Sequence, residues 1–220
     1  MTTTMTRTKV LIGDDHPAAC EGLAIRIASQ PDLEVCGQVA DGAAAMQLLE
    51  TCRPDVAVID IQLETDSGLD LVERIKARDA TIGILVWSMY PDTVYAARAL
   101  RAGAGGYINK RRATGHIVEA IRCVRAGQIY LCQETAGQLL GQAIGRGRQA
   151  KAWGVDALSD RELEIFRLIG QGLSTSQVAS RLHRSVSTIE THREQIKYKL
   201  GSRTAGQLGR AAVQWTLDSG

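Results

Sequence analysis

Three carboxylates, a hydroxyl and an ammonium stand at the ends of apolar runs in the first half of this 220-residue chain. Asp14 and Asp15 follow Val10–Ile12, and Asp60 closes Asp55-Val-Ala-Val-Ile-Asp60. Ser88 follows Ile82–Trp87, and Lys110 comes just after Tyr107–Ile108. Carboxylates gathered closely repel and raise each other's pKa. A hard divalent cation removes that penalty, and Mg²⁺ is the usual partner of a few carboxylates plus phosphate. A carboxylate can then act as nucleophile and become an aspartyl phosphate. A lysine neutralises the equatorial oxygens, positioning does most of the rest, and a serine hydroxyl can bond the phosphoryl group. Each residue alone has an ordinary reading: a helix cap, a turn, a solvated Lys110-Arg111-Arg112 run. Their common register at four strand ends favours phosphoryl transfer.

The elements that position them follow from periodicity. The apolar runs Val10–Ile12, Val35–Val39, Val56–Ile61, Ile82–Trp87 and Tyr107–Ile108 mostly lack strict alternation, as strands buried on both faces do. Helical patterns near Ala18–Ser29, Ala43–Thr51, Leu69–Arg78, Thr93–Ala102 and Thr114–Ala126 separate them. Five such units predict an α/β fold, a doubly wound parallel sheet with helices on both faces. Ligands bind beyond the carboxyl ends of such strands, where the five residues gather.

Residues 9–127 resemble a two-component receiver domain, and the whole chain resembles a response regulator of the NarL/FixJ family. The carriers are Ile12-Gly-Asp14-Asp15-His16-Pro17, Asp60 with Gly68 eight residues on, Trp87-Ser88, and Gly103-Ala-Gly-Gly-Tyr107-Ile-Asn-Lys110. The resemblance implies a flavodoxin-like sheet of order 2-1-3-4-5. It implies Asp60 as phosphoacceptor from a sensor histidine kinase. Asp14, Asp15 and Asp60, with the backbone carbonyl of Gln62, would hold Mg²⁺. Ser88 and Lys110 would contact the phosphoryl group, and Tyr107 would be the switch aromatic that follows Ser88. Two departures stand out. Leu63 and Glu64 replace the family's frequent Met-Pro, and Arg111 replaces a proline after Lys110. His16 reads as a loop residue rather than a metal ligand.

From Gln133 to Val155 the pattern dissolves into scattered glycines among Gln, Arg and Lys, a linker with some helix near Ala136–Ile144. Its Gly145–Ala150 segment matches G-x-G-x-x-A but lacks a preceding strand. From Leu158 the pattern is wholly helical. Ser159-Asp-Arg-Glu162 is a capping box, Ser174–Gln177 opens a short helix, a third runs from about Ser187 to Leu200, and a fourth covers Ala205–Trp215. This small all-α domain of four helices contains a helix-turn-helix. Residues 158–217 resemble a LuxR-type DNA-binding domain through Leu158–Glu162, Gly170–Ser174, Gln177–Leu182, Ser187–Arg193 and Lys199–Gly201.

On the third helix, Ile189, Ile196 and Leu200 share one face for packing. Ser187, Glu190, Thr191, Glu194, Lys197 and Tyr198 lie away from it and would enter a major groove. Thr188, Arg193, Lys197, Lys199 and Arg203 are candidates for phosphate contacts, which fix register without reading sequence. Glu190 stands where the family frequently has Lys. It either accepts from cytosine N4 or completes a capping box with Ser187. Glu194 either faces the groove or pairs with Lys197. Leu208, Ala211, Ala212 and Trp215 on the fourth helix read as core, and the family uses that helix as a dimer seam.

These readings divide the chain into a receiver at 1–132, a linker at 133–156 and a DNA-binding domain at 157–220. The formal net charge of +2 averages over that division. Residues 1–132 hold sixteen acidic and fourteen basic residues, and residues 157–220 hold nine basic and six acidic. No apolar stretch of 18 residues and no signal-peptide core occurs, so cytoplasmic residence without membrane contact is expected. Five scattered cysteines without a Cys-x-x-Cys pair suggest free thiols. The expected function is phosphorylation-dependent transcriptional control, with Mg²⁺ as cofactor and double-stranded promoter DNA as target. The expected partner state is a homodimer when phosphorylated or DNA-bound. A DNA-binding regulator that ignores phosphate is the alternative. A phosphatase is disfavoured, because Gln62 stands where an acid–base aspartate would be.

Overall fold

The computed structural model describes residues 6–64, 67–145 and 154–219. The chain forms two compact units, Met1–Leu139 and Leu140–Gly220. In the first, strands β1 (Thr8–Gly13), β2 (Leu33–Val39), β3 (Val56–Ile59), β4 (Gly83–Ser88) and β5 (Gly106–Asn109) alternate with helices α1 (Pro17–Ala28), α2 (Gly42–Cys52), α3 (Gly68–Arg78), α4 (Asp92–Arg101) and α5 (Ala113–Arg125). All four strand pairings are parallel, in the order β2-β1-β3-β4-β5. The unbroken apolar run of β3 is explained directly: every one of its residues is buried, because helices cover both faces of the sheet.

The parallel register sets the strand ends level. Gly13 pairs with Ile59, Ile59 with Val86, and Ser88 with Asn109. The residues that leave β1, β3 and β5 therefore emerge along one edge. The next bonds keep them there: Asp60 N–H donates to the Gly13 carbonyl at 2.8 Å, and Lys110 N–H to the Ser88 carbonyl at 2.8 Å. Gly68 explains the fixed spacing after Asp60. A Cβ there would sit 1.8 Å from the Asp60 carbonyl oxygen, so only glycine lets α3 start against that turn.

After α5 the chain returns along the sheet edge. Tyr107 N–H donates to the Tyr130 carbonyl and Tyr130 N–H to that of Gly105. Helix α6 (Gln133–Gly145) follows, longer than the helix expected in the linker. The division between the units falls inside it, after Leu139, rather than at its start. Its first turn stays with the first unit: Thr135 is buried, and Cys132 Sγ lies 3.4 Å from Asp92 Oδ2. The Gly145–Ala150 motif lies, beyond Gly145, outside the described residues.

The second unit has a single 3₁₀ turn at Val155–Ala157, then α7 (Asp160–Gly170), α8 (Thr175–Arg181), α9 (Val186–Leu200) and α10 (Ala205–Ser219). The expected capping box of Ser159 with Glu162 is present, and Ser174 forms a second one with Gln177. Leu163, Phe166, Val178, Ile189, Ile196, Leu208 and Ala212 form its core. Gly170 is required where α7 meets α10, since a Cβ would lie 2.2 Å from Thr216 Oγ1 and 2.5 Å from the Ala212 carbonyl oxygen.

Candidate functional site

The strand ends bring Asp14, Asp60 and Lys110 into direct contact. Lys110 Nζ lies 2.5 Å from Asp14 Oδ2 and 2.7 Å from Asp60 Oδ2. Asp14, Asp15, His16 and Asp60 each offer a ligand atom within 4.8 Å of the others. Asp14 and Asp60 are buried, as is Ser88. Burial pushes the Asp60 carboxyl above its ordinary range, with Lys110 working against that rise and Asp14 adding to it. Burial opposes the charge on Lys110, but Asp60 and Asp14 outweigh it and raise the ammonium.

Charge bookkeeping at this edge does not close. Three carboxylates face one ammonium, an excess of two negative charges when all are ionised. The buried oxygens Asp15 Oδ1, Asp60 Oδ1 and Ser88 Oγ carry no hydrogen bond among the described residues. A buried polar atom without a partner carries a desolvation cost of about 1–3 kcal/mol. Hard oxygen donors with an excess charge of two fit a divalent cation. His16 is the member that sequence reasoning set aside. Its Nδ1 lies 2.7 Å from Asp15 Oδ1, without hydrogen-bond geometry, and 3.2 Å from Asp14 Oδ1.

The surrounding loops account for the remaining predicted residues. Tyr107 is buried and its hydroxyl donates to the Tyr90 carbonyl at 2.8 Å. Burial drives its phenol far above the usual value, so it is neutral. The Gln62 side chain accepts from the Tyr90 hydroxyl at 2.7 Å. Glu64 is exposed, and its N–H donates to the Ala40 carbonyl, which holds the turn where the family often has proline. Asn109 does the corresponding work after Lys110: Nδ2 donates to Tyr90 O at 2.8 Å and Oδ1 accepts from Arg111 N–H at 3.0 Å. Tyr90 and Asn109 are not singled out from sequence, because neither is charged and their bonds join residues 17 to 28 positions apart.

In the second unit, α9 presents the expected outer face. Ser187, Glu190, Thr191, Glu194 and Tyr198 are exposed, while Ile189 and Ile196 are buried and Leu200 is half-buried. The helix starts one residue earlier than expected. Ser185 is its cap, accepting from Thr188 N–H at 3.1 Å, so Ser187 and Glu190 form no capping box. That removes the capping reading of Glu190, which is exposed and has no ion pair among the described residues. Thr188 Oγ1 lies 2.8 Å from Ser185 Oγ, and Thr191 Oγ1 donates back to the Ser187 carbonyl at 3.0 Å. Glu194 pairs with Lys197 at 2.7 Å. Lys199 bonds the buried Glu162 at 2.6 Å, tying α9 to the cap of α7. Arg193 is half-buried and Arg203 exposed, neither with an ion pair among the described residues.

A parallel sheet with an excess of charge at its carboxyl edge, followed by a helix-turn-helix, is the build of a two-component response regulator. Comparison with known proteins agrees for both units. The response regulator receiver domain model matches residues 10–122, and the model of bacterial regulatory proteins, luxR family, matches residues 156–212. Oxygen regulatory protein NreC of Staphylococcus aureus is 33% identical over 213 residues, covering 95% of this chain and 98% of NreC. A structure of Salmonella typhimurium RcsB shares the fold, with TM-score 0.71 and 23% identity over 96% of this chain and 98% of that one. RcsB bound to promoter P1flhDC in the presence of the phosphomimetic BeF₃⁻ has TM-score 0.68 and 22% identity over 95% of this chain and 100% of that one. The chain therefore belongs to the NarL/FixJ family of response regulators, with a receiver domain and a LuxR-type DNA-binding domain. It is a transcription regulator and not a classical enzyme.

Proposed function

We propose that Asp60 is the phosphoacceptor. Its carboxylate attacks the phosphorus of a phosphohistidine on a sensor histidine kinase; a P–O bond forms, the P–N bond breaks, and the imidazole leaves. The observation that carries this is the unbalanced cluster: Asp60 Oδ1 has no hydrogen bond among the described residues, while Oδ2 is held by Lys110. Asp14, Asp15 and Asp60, with the main-chain carbonyl of Gln62, would hold Mg²⁺, which supplies charge neutralisation at the phosphoryl oxygens when bound. Lys110 stays on Asp14 while turning from the Asp60 carboxylate to a phosphoryl oxygen. The Ser88 hydroxyl, without a partner here, donates to another. Tyr107 follows Ser88, and a new dianion drawing in that loop shifts a two-state equilibrium.

The DNA-binding reading assigns α9 to a major groove. Glu190, Thr191 and Glu194 face base edges, and Thr188, Arg193, Lys197, Lys199 and Arg203 face phosphates. Arg193 and Arg203 carry most of the phosphate contact, because Lys197 and Lys199 have internal partners. Exposed Val213 and Leu217, four residues apart on α10, supply a seam for a homodimer on paired half-sites. Residues 1–132 act as receiver, 133–156 as linker and 157–220 as DNA-binding domain, in a cytoplasmic protein. No helix of the described residues is long and apolar enough to cross a membrane.

Labelling with acetyl phosphate and Mg²⁺ tests the proposal. Asp60→Asn abolishes labelling, and labelling that survives the change sinks the assignment. Promoter affinity measured with and without acetyl phosphate tests the switch. Equal affinities would favour the phosphate-independent regulator.

A further inference from the structure

Lys110 has a third neighbour besides its two carboxylates. Its Nζ lies 4.8 Å from the ring centroid of Trp87. Trp87 precedes Ser88 on β4, and alternation along a strand sends the two side chains to opposite faces. Ser88 serves the acid edge, while Trp87 joins the apolar cluster of Leu23, Ile117 and Ile121 between α1 and α5. An ammonium has three N–H donors. Two meet Asp14 and Asp60, which leaves one for the indole face.

Lys110 also has a way out. With Trp87, Ala18, Gly22 and Ala113 it lines a groove of about 250 Å³ between α1 and α5. Small residues on those helices leave the groove open. Phosphorylation would also remove one of the two carboxylates that hold the ammonium, because Asp60 becomes an acyl phosphate. The ring is a partner that this reaction does not alter. Its presence carries a burden: the indole N–H is buried without a hydrogen bond, which a leucine or phenylalanine would avoid. Only an aromatic face offers the ammonium a quadrupole.

We propose that Trp87 is a positioning residue for phosphoryl transfer. Its indole face holds the Lys110 ammonium at the Asp14–Asp60 edge before the reaction and in the acyl-phosphate state. The inference rests on the reading of Asp60 as phosphoacceptor. Trp87 acts through Lys110 and touches no reacting atom.

The test grades the ring's charge distribution while keeping its shape. In the full chain, Trp153→Phe and Trp215→Phe leave Trp87 as the remaining one of three tryptophans. Mono-, di- and tetrafluorinated tryptophan are then incorporated, and acetyl-phosphate labelling is followed in Mg²⁺. The labelling rate at saturating donor should fall stepwise with fluorination, by about five- to tenfold at the most fluorinated ring. The half-saturating donor concentration should stay within about twofold. Trp87→Phe should retain most of the rate and Trp87→Leu should lose as much as the fluorinated ring. A rate that ignores fluorination overturns the proposal, as does a folded Trp87→Leu protein as fast as Trp87→Phe. Asp60→Asn in the same background separates the two levels. Labelling that persists there removes the phosphoacceptor reading and this inference together. Labelling that needs Asp60 but ignores fluorination removes only the role of Trp87.

Discussion

Two lysine–carboxylate contacts in this molecule look alike and teach opposite things. Lys110 touches Asp14 and Asp60 in the receiver, and Lys199 touches Glu162 in the DNA-binding unit. All three carboxylates are buried. At Glu162 the account closes. One oxygen, Oε2, takes both the Lys199 ammonium and the Ser159 N–H, and one anion faces one cation. At Asp60 it does not close, because Asp15 adds a further charge and Oδ1 has no hydrogen bond. A balanced pair reads as architecture. An unbalanced cluster reads as a place where something charged arrives. Burial and distance alone do not separate the two.

Removing each lysine should break the comparison most sharply. Lys110 is 8% exposed at its side chain. Taking away one partner of a buried ion pair costs about 3–5 kcal/mol, because the other charge is left uncompensated. Lys110→Met should therefore lose roughly 3 kcal/mol in chelator, measured by urea denaturation with hydrogen exchange of β3 as the local readout. Mg²⁺ should restore most of that loss. A cation that restores nothing would mean the excess charge is not a cation site.

Magnesium alone gives the next effect. A ligand at a hundredfold of its Kd stabilises by about 2.7 kcal/mol, or ~5–10 °C in Tm for a chain of this size. The receiver should show that rise, and Asp15→Asn should abolish it by removing part of the excess charge. Protection of α7 around Glu162 should not respond to Mg²⁺.

Lys199→Met should cost less, about 1–2 kcal/mol, since this ammonium is one-third exposed and partly screened. It also has a pH signature. Burial pushes the Glu162 carboxyl up, but the Lys199 and Ser159 bonds outweigh it and hold the group below its ordinary 4.5. A depressed carboxyl contributes stability that is present above the unfolded pKa and is lost as pH falls through the folded one. Protection of α7 should thus fall below about pH 4.5. Glu162→Gln should flatten that dependence.

Much of this was legible in the sequence, for physical reasons that differ by region. β1, β3, β4 and β5 are legible because nearly all of their residues are buried, whereas the edge strand β2 is mostly half-buried, and Asp14, Asp60, Ser88 and Lys110 are legible because a parallel register delivers strand ends to one edge. Gly68 was visible as a spacing, but its reason needed the 1.8 Å approach to the Asp60 carbonyl. Of the two readings of Glu190, the capping box with Ser187 fails because Ser185 caps α9. Ser185 and Ser187 are chemically the same, and only backbone geometry selects between them. The bond of Lys199 to Glu162 is not legible in the sequence, because the two lie 37 residues apart, across a helix pairing that no local pattern reveals. Trp87 looked like one more apolar strand residue, since its contact with Lys110 joins the ends of two different strands.

The smallest predicted effects lie on α9, and they extend the same logic to groups for which a partner outside the chain is proposed. Arg193 has no ion pair among the described residues, whereas Lys197 is held by Glu194. A lysine or arginine that neutralises a phosphate releases counterions, so its loss weakens binding across sequences and reduces the salt slope by about one. Arg193→Ala should do this in full and Lys197→Ala only in part, measured as promoter affinity against salt concentration. Equal slopes for both variants would show that the Glu194 pair opens freely on DNA. Glu190→Gln should behave differently from either. Its carboxylate is exposed and has no ion pair among the described residues, so neutralising it should relieve repulsion from phosphates on any sequence. If it also accepts from a cytosine, discrimination at one base pair should fall by about 1–3 kcal/mol while general affinity rises. A uniform gain with no change in base preference would leave Glu190 a repulsive charge in the groove and nothing more.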